Sequence, residues 1–309
     1  YALSDGLCFL MADAMLMAVF AIPFGMVLGF AMSSPMLSYL NTDICTPLGL
    51  PHISMLQGID AVKYSLIIAL ISLVAVSLAA IVPALFLLIK VYQADRLEKE
   101  PVSLILSLVF FGVLSTAIAM VLEQVGTAVL GNYLPEGSVA YNAVLYFGIV
   151  AFSEEGAKYL LLKKRTWRDI NFNCQFDGVV YGMSVSLGFA LWENLGYVAM
   201  YGFGTALVRA VTAVPGHACF GVFMGAWYGM AKRWEGAGFE SRSRTCRTMA
   251  LLLPALIHGC YDFIATYEDA GVSGIFAVFV VLLFVVSLIL VRRLSANDRY
   301  INNSGRFFF

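Results

Sequence analysis

The chain has 309 residues, 61% of them hydrophobic and 13% charged, with 19 basic and 20 acidic side chains for a formal net charge of −1. Soluble domains carry roughly a quarter charged residues, so an ordinary water-soluble protein is excluded, and the near-zero charge gives no reason to expect nucleic acid as a partner. Apolar runs of about 20 residues or more, enough to cross a hydrocarbon core of about 30 Å, make the expected fold an all-α, polytopic membrane helical bundle.

Eight spans are predicted in chain order, at about 8–32, 64–90, 102–130, 139–162, 176–200, 205–231, 248–267 and 274–292. The first resembles a secretory signal around Ala31-Met32-Ser33, but its length and the lack of a basic region before it favour a retained helix. Sixteen of the nineteen Lys and Arg residues fall after spans two, four, six and eight, and none after spans three, five and seven. By the positive-inside rule both termini are cytoplasmic, and the expected location is the plasma (inner) membrane, as a multi-pass protein. The basic segment between spans six and seven, with Trp234 and Phe239, reads as a membrane-surface loop drawn to anionic lipid. Three regions are expected: N-terminal helices over 1–135, a four-helix core over 136–268, and a last helix with a cytoplasmic tail over 269–309.

The six cysteines form no C-x-x-C pair, so neither a disulfide framework nor a thiolate metal motif is indicated. Small residues recur at Gly178 and Gly182 and at Gly221, Gly225 and Gly229, a spacing that lets membrane helices approach closely. Packing is the plain reading of that pattern.

The ionisable residues inside the spans carry more information. A charge near the centre of a spanning helix costs roughly 2.5 to 3.5 kcal/mol on insertion scales. Yet span four contains Glu154, Glu155 and Lys158; span five, Asp177, Glu193 and Asn194; span six, Arg209 and His217; span seven, His258 and Asp262. Counting ~1.5 Å per residue from the cytoplasmic ends puts Glu154 at a depth of ~12 Å, His258 at ~15 Å, His217 and Asp262 at ~21 Å and Glu193 at ~25 Å. Four helices thus deliver acids and imidazoles to one layer. Glu154 and Lys158 share a helix face, as do His258 and Asp262. Glu155 lies about 100° round from Glu154, so one glutamate is expected to face a cavity while the other braces a neighbouring helix.

The stretches Glu154-Glu155-Gly156-Ala157-Lys158, FDGVVYGMSVSLGFALWENLGY, RAVTAVPGHACFG and HGCYD together resemble the PrsW family of glutamic-type intramembrane proteases, within the larger group of CAAX prenyl endopeptidases and Abi proteins. The resemblance covers about residues 150 to 265 and implies an intramembrane endopeptidase. It implies that Glu154 and Glu155 are the paired glutamates, with Glu154 the general base. It also makes His217 and His258 the later histidines and sets Asp262 where the family has Asn or Asp. Where the CAAX enzymes have histidine at the end of F-x-x-x-H, this chain has Glu193 after Phe189, which leaves open which group partners the base. The implied substrate is a membrane-anchored protein, with anti-sigma factors as the family precedent, or a lipid-anchored C-terminus of the CAAX kind.

Amide hydrolysis needs a base for water, an acid for the leaving amine and donors for the oxyanion. Glu154 is the expected base, either His217 or His258 its partner, and the remaining histidine with Asn194 the oxyanion donors. Glu155, Glu193, Lys158, Asp262, Asp177 and Arg209 complete the candidate set. No Ser or Cys nucleophile stands in an obvious His-linked setting, so direct attack by water without cofactor or metal is expected. Two alternatives compete: a zinc-dependent intramembrane protease built on the two histidines, and a proton- or cation-coupled transporter or membrane scaffold. Structural roles suffice for His52 as an exposed loop residue, Glu123 as an interhelical hydrogen-bonding group, Arg209 as a snorkelling or Glu193-pairing cation, and Asp177 as a helix cap.

Overall fold

The computed structural model describes residues 46–47, 78, 81–201, 203–266 and 270–301. The chain divides into two compact units, Tyr1–Leu78 and Ala79–Phe309, and the second holds nearly all of the described residues. The first predicted span, most of the second, His52, Cys8 and Cys45 lie outside them.

The described residues are helical, joined by short turns. We number the helices α1 (Ile81–Ala94), α2 (Val102–Leu130), α3 (Val139–Ala143), α4 (Ala151–Thr166), α5 (Asp177–Tyr201), α6 (Phe203–Val211), α7 (Ala213–Gly236), α8 (Glu240–Ala265) and α9 (Ala270–Ala296). Among the described residues four stretches are long and apolar enough to cross a membrane: Val102–Leu130, Val208–Gly236, Glu240–Ala265 and Gly274–Ala296. Their outward faces are apolar, as Leu106, Phe110 and Val125 on α2 and Val278, Val281 and Leu288 on α9 show. The interior holds Glu155, Lys158, Asn194, His217 and His258 instead. Lipid rewards that arrangement, since hydrocarbon is no worse a solvent for Leu and Val than a protein core.

Three predicted elements differ in detail. The fourth span is not one regular helix: Ser138 caps α3 by accepting from the Tyr141 N–H at 3.1 Å, and Val144–Val150 runs as a π-helix before α4 begins. A π turn rotates the helix beyond it relative to the helix before it, so the register of Glu154 is set by this insertion. The sixth span is broken at Thr212 into α6 and α7. The segment expected as a surface loop before the seventh span is instead helical from Glu240 onward, directly after Gly238 with φ of 81°. Its apolar side explains the difference: Cys246 and Ala250 are buried while Arg244 faces out, and Arg242 stacks over Trp234 and Phe239 at 4.7 and 5.1 Å.

The centre of the unit is the α5–α7 contact. A Cβ on Gly178 would lie 2.5 Å from the Gly229 nitrogen, and one on Gly182 would lie 2.5 Å from the Gly221 carbonyl oxygen. The two glycine series therefore face each other with backbones nearly touching. Gly112 and Gly188 do the same between α2 and α5, where an added Cβ would run into the carbonyls of Val185 and Val109. The sequence shows no such spacing at Gly112 and Gly188.

Candidate active site

Lys158 is the hub. It is fully buried on α4, and its ammonium donates to Glu155 Oε1 at 2.7 Å, Glu154 Oε2 at 3.2 Å and His217 Nδ1 at 3.2 Å. The Phe189 ring of α5 covers the same nitrogen at 3.9 Å. Helical geometry makes this possible, because residue 158 is four positions after one glutamate and three after the other, so a single side chain reaches both. Both glutamates turn toward Lys158, but only Glu155 also reaches His258 of the neighbouring helix.

His217 of α7 stands between Lys158 and α5. Its Nε2 donates to Glu193 Oε2 at 2.7 Å while Nδ1 accepts from Lys158. Lys158 can only donate and Glu193 as a carboxylate can only accept. That fixes the tautomer with the proton on Nε2. Glu193 Oε2 also pairs with Arg209 Nη2 at 3.0 Å. Arg209 Nε donates to Asn194 Oδ1 at 3.0 Å, and its guanidinium lies 3.9 Å from the Tyr197 ring centre. Arg209 therefore points inward to Glu193.

His258 of α8 closes the other side. Its Nδ1 is 3.0 Å from Glu155 Oε1, and its Nε2 is 3.3 Å from Asp262 Oδ2 and 3.9 Å from Glu154 Oε2. Carboxylates stand at both ring nitrogens, so Nε2 can hold a proton between Asp262 and Glu154. The ring is fixed by stacking on Phe220 at 4.6 Å and lies 5.3 Å from His217. Pro254 lies one turn earlier inside α8 and cannot donate to the Ala250 carbonyl.

Nine of the ten sequence-predicted residues thus come together: Glu154, Glu155, Lys158, Glu193, Asn194, Arg209, His217, His258 and Asp262. Asp177 does not. It opens α5 at the opposite end, where its Oδ2 accepts from the Cys174 and Asn173 N–H groups at 2.6 and 3.0 Å. Glu123 of α2, which no motif singled out, is close enough to interact electrostatically with Glu154, Glu193, His258 and Asp262. Phe220 and Tyr197 were also missed, as aromatic residues in an apolar helix carry no sequence signal distinguishing a cation cover from packing; Phe189 was named only as the start of the motif that ends at Glu193, not as the cover of Lys158.

Within the cluster the glutamates differ in access. Glu155 is fully enclosed, and its Oε2 has no hydrogen-bond partner. Glu154 is 7% exposed and is the more open of the pair. Glu154, Glu155, His217 and His258 also place one ligand-type atom each within 4.8 Å of one another. Two imidazoles and two carboxylates suit a zinc-type ion by donor chemistry. They do not suit it as arranged, because the Lys158 ammonium already lies between three of the four, and a dication there would face a buried like charge.

Comparison with known proteins agrees with the region this geometry occupies. Residues 100–291 match the family described as "PrsW family intramembrane metalloprotease". The chain is 35% identical over 194 residues to Protease PrsW of Bacillus subtilis (strain 168), covering 62% of this chain and 83% of that protein. It is 36% identical over 192 residues to Protease PrsW of Geobacillus kaustophilus (strain HTA426), 62% of this chain and 80% of the relative. The Halalkalibacterium halodurans protein of the same name is 31% identical over 221 residues, covering 72% and 97% respectively. No solved structure matches. The match runs from the helix that packs behind the glutamates to the one beyond Asp262 and takes in every clustered acid and imidazole, and the chain belongs to the PrsW family of intramembrane proteases.

Proposed function

We propose that this peptidase hydrolyses its membrane-associated protein substrate with a water activated by Glu154, without a metal ion. The observation that carries the reading is the position of Lys158, which supplies a fixed positive charge to both glutamates and to His217 where a metal ion would otherwise sit. The word metalloprotease in the family description is not supported by that arrangement. A preorganised cation in a water-poor site can stabilise developing negative charge as a metal does.

In this mechanism Glu154, the less enclosed carboxylate, takes a proton from water as its oxygen attacks the amide carbon. His258 is the partner of the base: its Nε2 lies between Glu154 and Asp262, a path by which a proton reaches the leaving amine. Glu155, bound by Lys158 and His258, holds both in place. His217 is tied at both nitrogens and positions Lys158. Glu193 with Arg209 orients His217, and Asn194, whose carbonyl is taken by Arg209, braces that cation. The resemblance of the motifs supports a membrane-anchored protein as substrate, of the anti-sigma type, and a multi-pass enzyme of the cytoplasmic membrane with both termini inside.

The test is cleavage of a membrane-anchored substrate by the full chain in proteoliposomes. Glu154→Gln is expected to lower the rate by about 10² to 10⁴, the usual contribution of a general base, with folding unchanged. Chelators and metal analysis form the second arm. Full activity in Glu154→Gln refutes the base assignment, and activity that is lost in chelator and restored by zinc refutes the metal-free mechanism.

A further inference from the structure

A second group of buried carboxylates lies away from this site. Asp95 follows α1, Glu100 precedes α2 and Asp177 opens α5, and one oxygen from each lies within 4.8 Å of the others. Asp177 and Glu193 are sixteen residues apart on one helix, which separates the two groups by ~24 Å. The chain after α9 closes over the cluster. Ile301 N donates to Asn173 O at 2.7 Å, Gln175 N to Arg299 O at 3.0 Å, and Phe176 N to Asp298 Oδ1 at 2.8 Å.

The three acids are 2%, 3% and 0% exposed. Partners account for only part of their oxygens. Glu100 Oε2 accepts from Tyr181 Oη at 2.7 Å, and Asp177 Oδ2 accepts its two backbone N–H groups. Both oxygens of Asp95, Oδ1 of Asp177 and Oδ2 of the adjacent Asp298 are buried without a hydrogen bond of good geometry, the Glu98 backbone N–H acting on Asp95 only as a minor contact. Among the described residues no ion pair is recorded to Asp95, Glu100 or Asp177. Lys99, which acts on Asp95 electrostatically, directs its ammonium to the backbone carbonyls of Tyr92, Gln93 and Asp95, closing the end of α1. Buried carboxylates are ordinarily paired, hydrogen-bonded or bound to metal. Here a buried aspartate with two unsatisfied oxygens faces two more acids.

We propose that Asp95, Glu100 and Asp177 form a binding site for a hard divalent cation, Mg²⁺ or Ca²⁺, that ties α1, α2 and α5 together beneath the segment after α9. The all-oxygen donor set selects this class over zinc or copper. Size agrees: oxygens across such an ion stand about 4 Å apart for Mg²⁺ and about 5 Å apart for Ca²⁺. The bound ion is structural, and its existence does not depend on how the protease site works. Burial holds the free Asp95 carboxyl up at about 6 and that of Glu100 at about 7, so protons are the competing occupants.

The test uses the full chain, purified in detergent and stripped with chelator at neutral pH. Titration with Tb³⁺ under tyrosine excitation reads the site, because Tyr181 touches Glu100. One saturable Tb³⁺ per chain, displaced by Ca²⁺ or Mg²⁺, is expected, and the same ions are expected to raise Tm. Asp95→Asn is expected to weaken binding at least tenfold and to remove the Tm response. If that variant does not fold, Glu100→Gln serves in its place. Glu154→Gln, which alters the other cluster, is expected to keep the full response. Absence of saturable Tb³⁺ emission in the unaltered protein, an undiminished response in the folded Asp95 or Glu100 variant, or loss of the response in Glu154→Gln would each overturn the proposal.

Discussion

Two groups of buried ionisable residues occupy the same helical unit and meet the cost of burial in different ways. In the protease cluster the acids of α4, α5 and α8 each face a basic group of the protein: Glu154 and Glu155 share Lys158, Glu193 has Arg209 and His217, and Asp262 has His258. In the cluster of Asp95, Glu100 and Asp177 no basic side chain makes an ion pair among the described residues; the acids rely on Tyr181, on backbone amides and on one another. A site that must keep a carboxylate charged while substrate and water enter benefits from covalently attached counter-charges, which do not dissociate. A site that only fastens helix ends can leave its counter-charge to a dissociable ion or proton.

The largest effect is expected from breaking the internal pairing. Lys158→Met keeps the shape of the side chain but leaves Glu154, Glu155 and His217 without their shared donor. Removing one partner of a buried pair costs about 3–5 kcal/mol, so thermal unfolding in detergent is expected to show a large drop and cleavage is expected to vanish. Adding Glu155→Gln removes the stranded charge and recovers part of that stability, which measures how much of the loss was electrostatic. A Lys158→Met protein as stable as the parent would mean that the glutamates do not depend on it.

A smaller loss is expected where α5, the helix common to both clusters, packs on α7. At Gly182 a Cβ would meet the Gly221 carbonyl oxygen and the Gly225 backbone, both fixed parts of a helix. Gly182→Leu therefore forces the helices apart, at a cost near the upper end of the ~1–3 kcal/mol typical of overpacking. Because α5 carries Phe189, Glu193 and Asn194, cleavage is expected to fall more than stability. A variant that lost stability but retained its rate per folded molecule would show that the site tolerates the displacement.

The two clusters were also unequally legible in the sequence. Glu154, Lys158, His217 and His258 stand out because charge inside an apolar run is conspicuous, and the i,i+4 spacing and the common depth foretold their meeting. The facing glycines of α5 and α7 were equally readable. The π turn at 144–150 carries no such mark in the sequence, whereas the break at Thr212 has a local one that was passed over: Pro215 has no N–H to give the Val211 carbonyl. For Asp95 and Glu100 the difficulty is different: they lie in a short polar connection beside Arg96, Glu98 and Lys99, where acids are ordinarily solvated. Only the fold, which lays the chain after α9 over them, reveals that they are buried.

The smallest effect separates proton from cation at that second cluster. Asp95 is raised from 3.8 to about 6 by burial, helped by Asp298 and Glu98 and opposed by Lys99 and a backbone N–H of Glu98. Glu100 is raised from 4.5 to about 7 by burial, helped by Asp95 and Glu98 and opposed by hydrogen bonds from Tyr181 and with Asp177. Between pH 4 and 7 the folded chain then holds more protons on these two groups than the unfolded chain does. Stability from this source falls as pH rises, because ∂ΔG/∂pH carries the sign of protons bound unfolded minus folded. The metal-stripped protein is expected to lose several degrees of Tm from this source between pH 5 and pH 8. The comparison that isolates it is with the Asp95→Asn, Glu100→Gln double variant, whose Tm falls less over the same range. Millimolar Ca²⁺ or Mg²⁺ is expected to restore the parent at pH 8 and to do little at pH 5, where protons already occupy the acids. If parent and double variant decline in parallel, the two carboxyls titrate alike in folded and unfolded chains, and the contrast between the clusters is one of geometry alone.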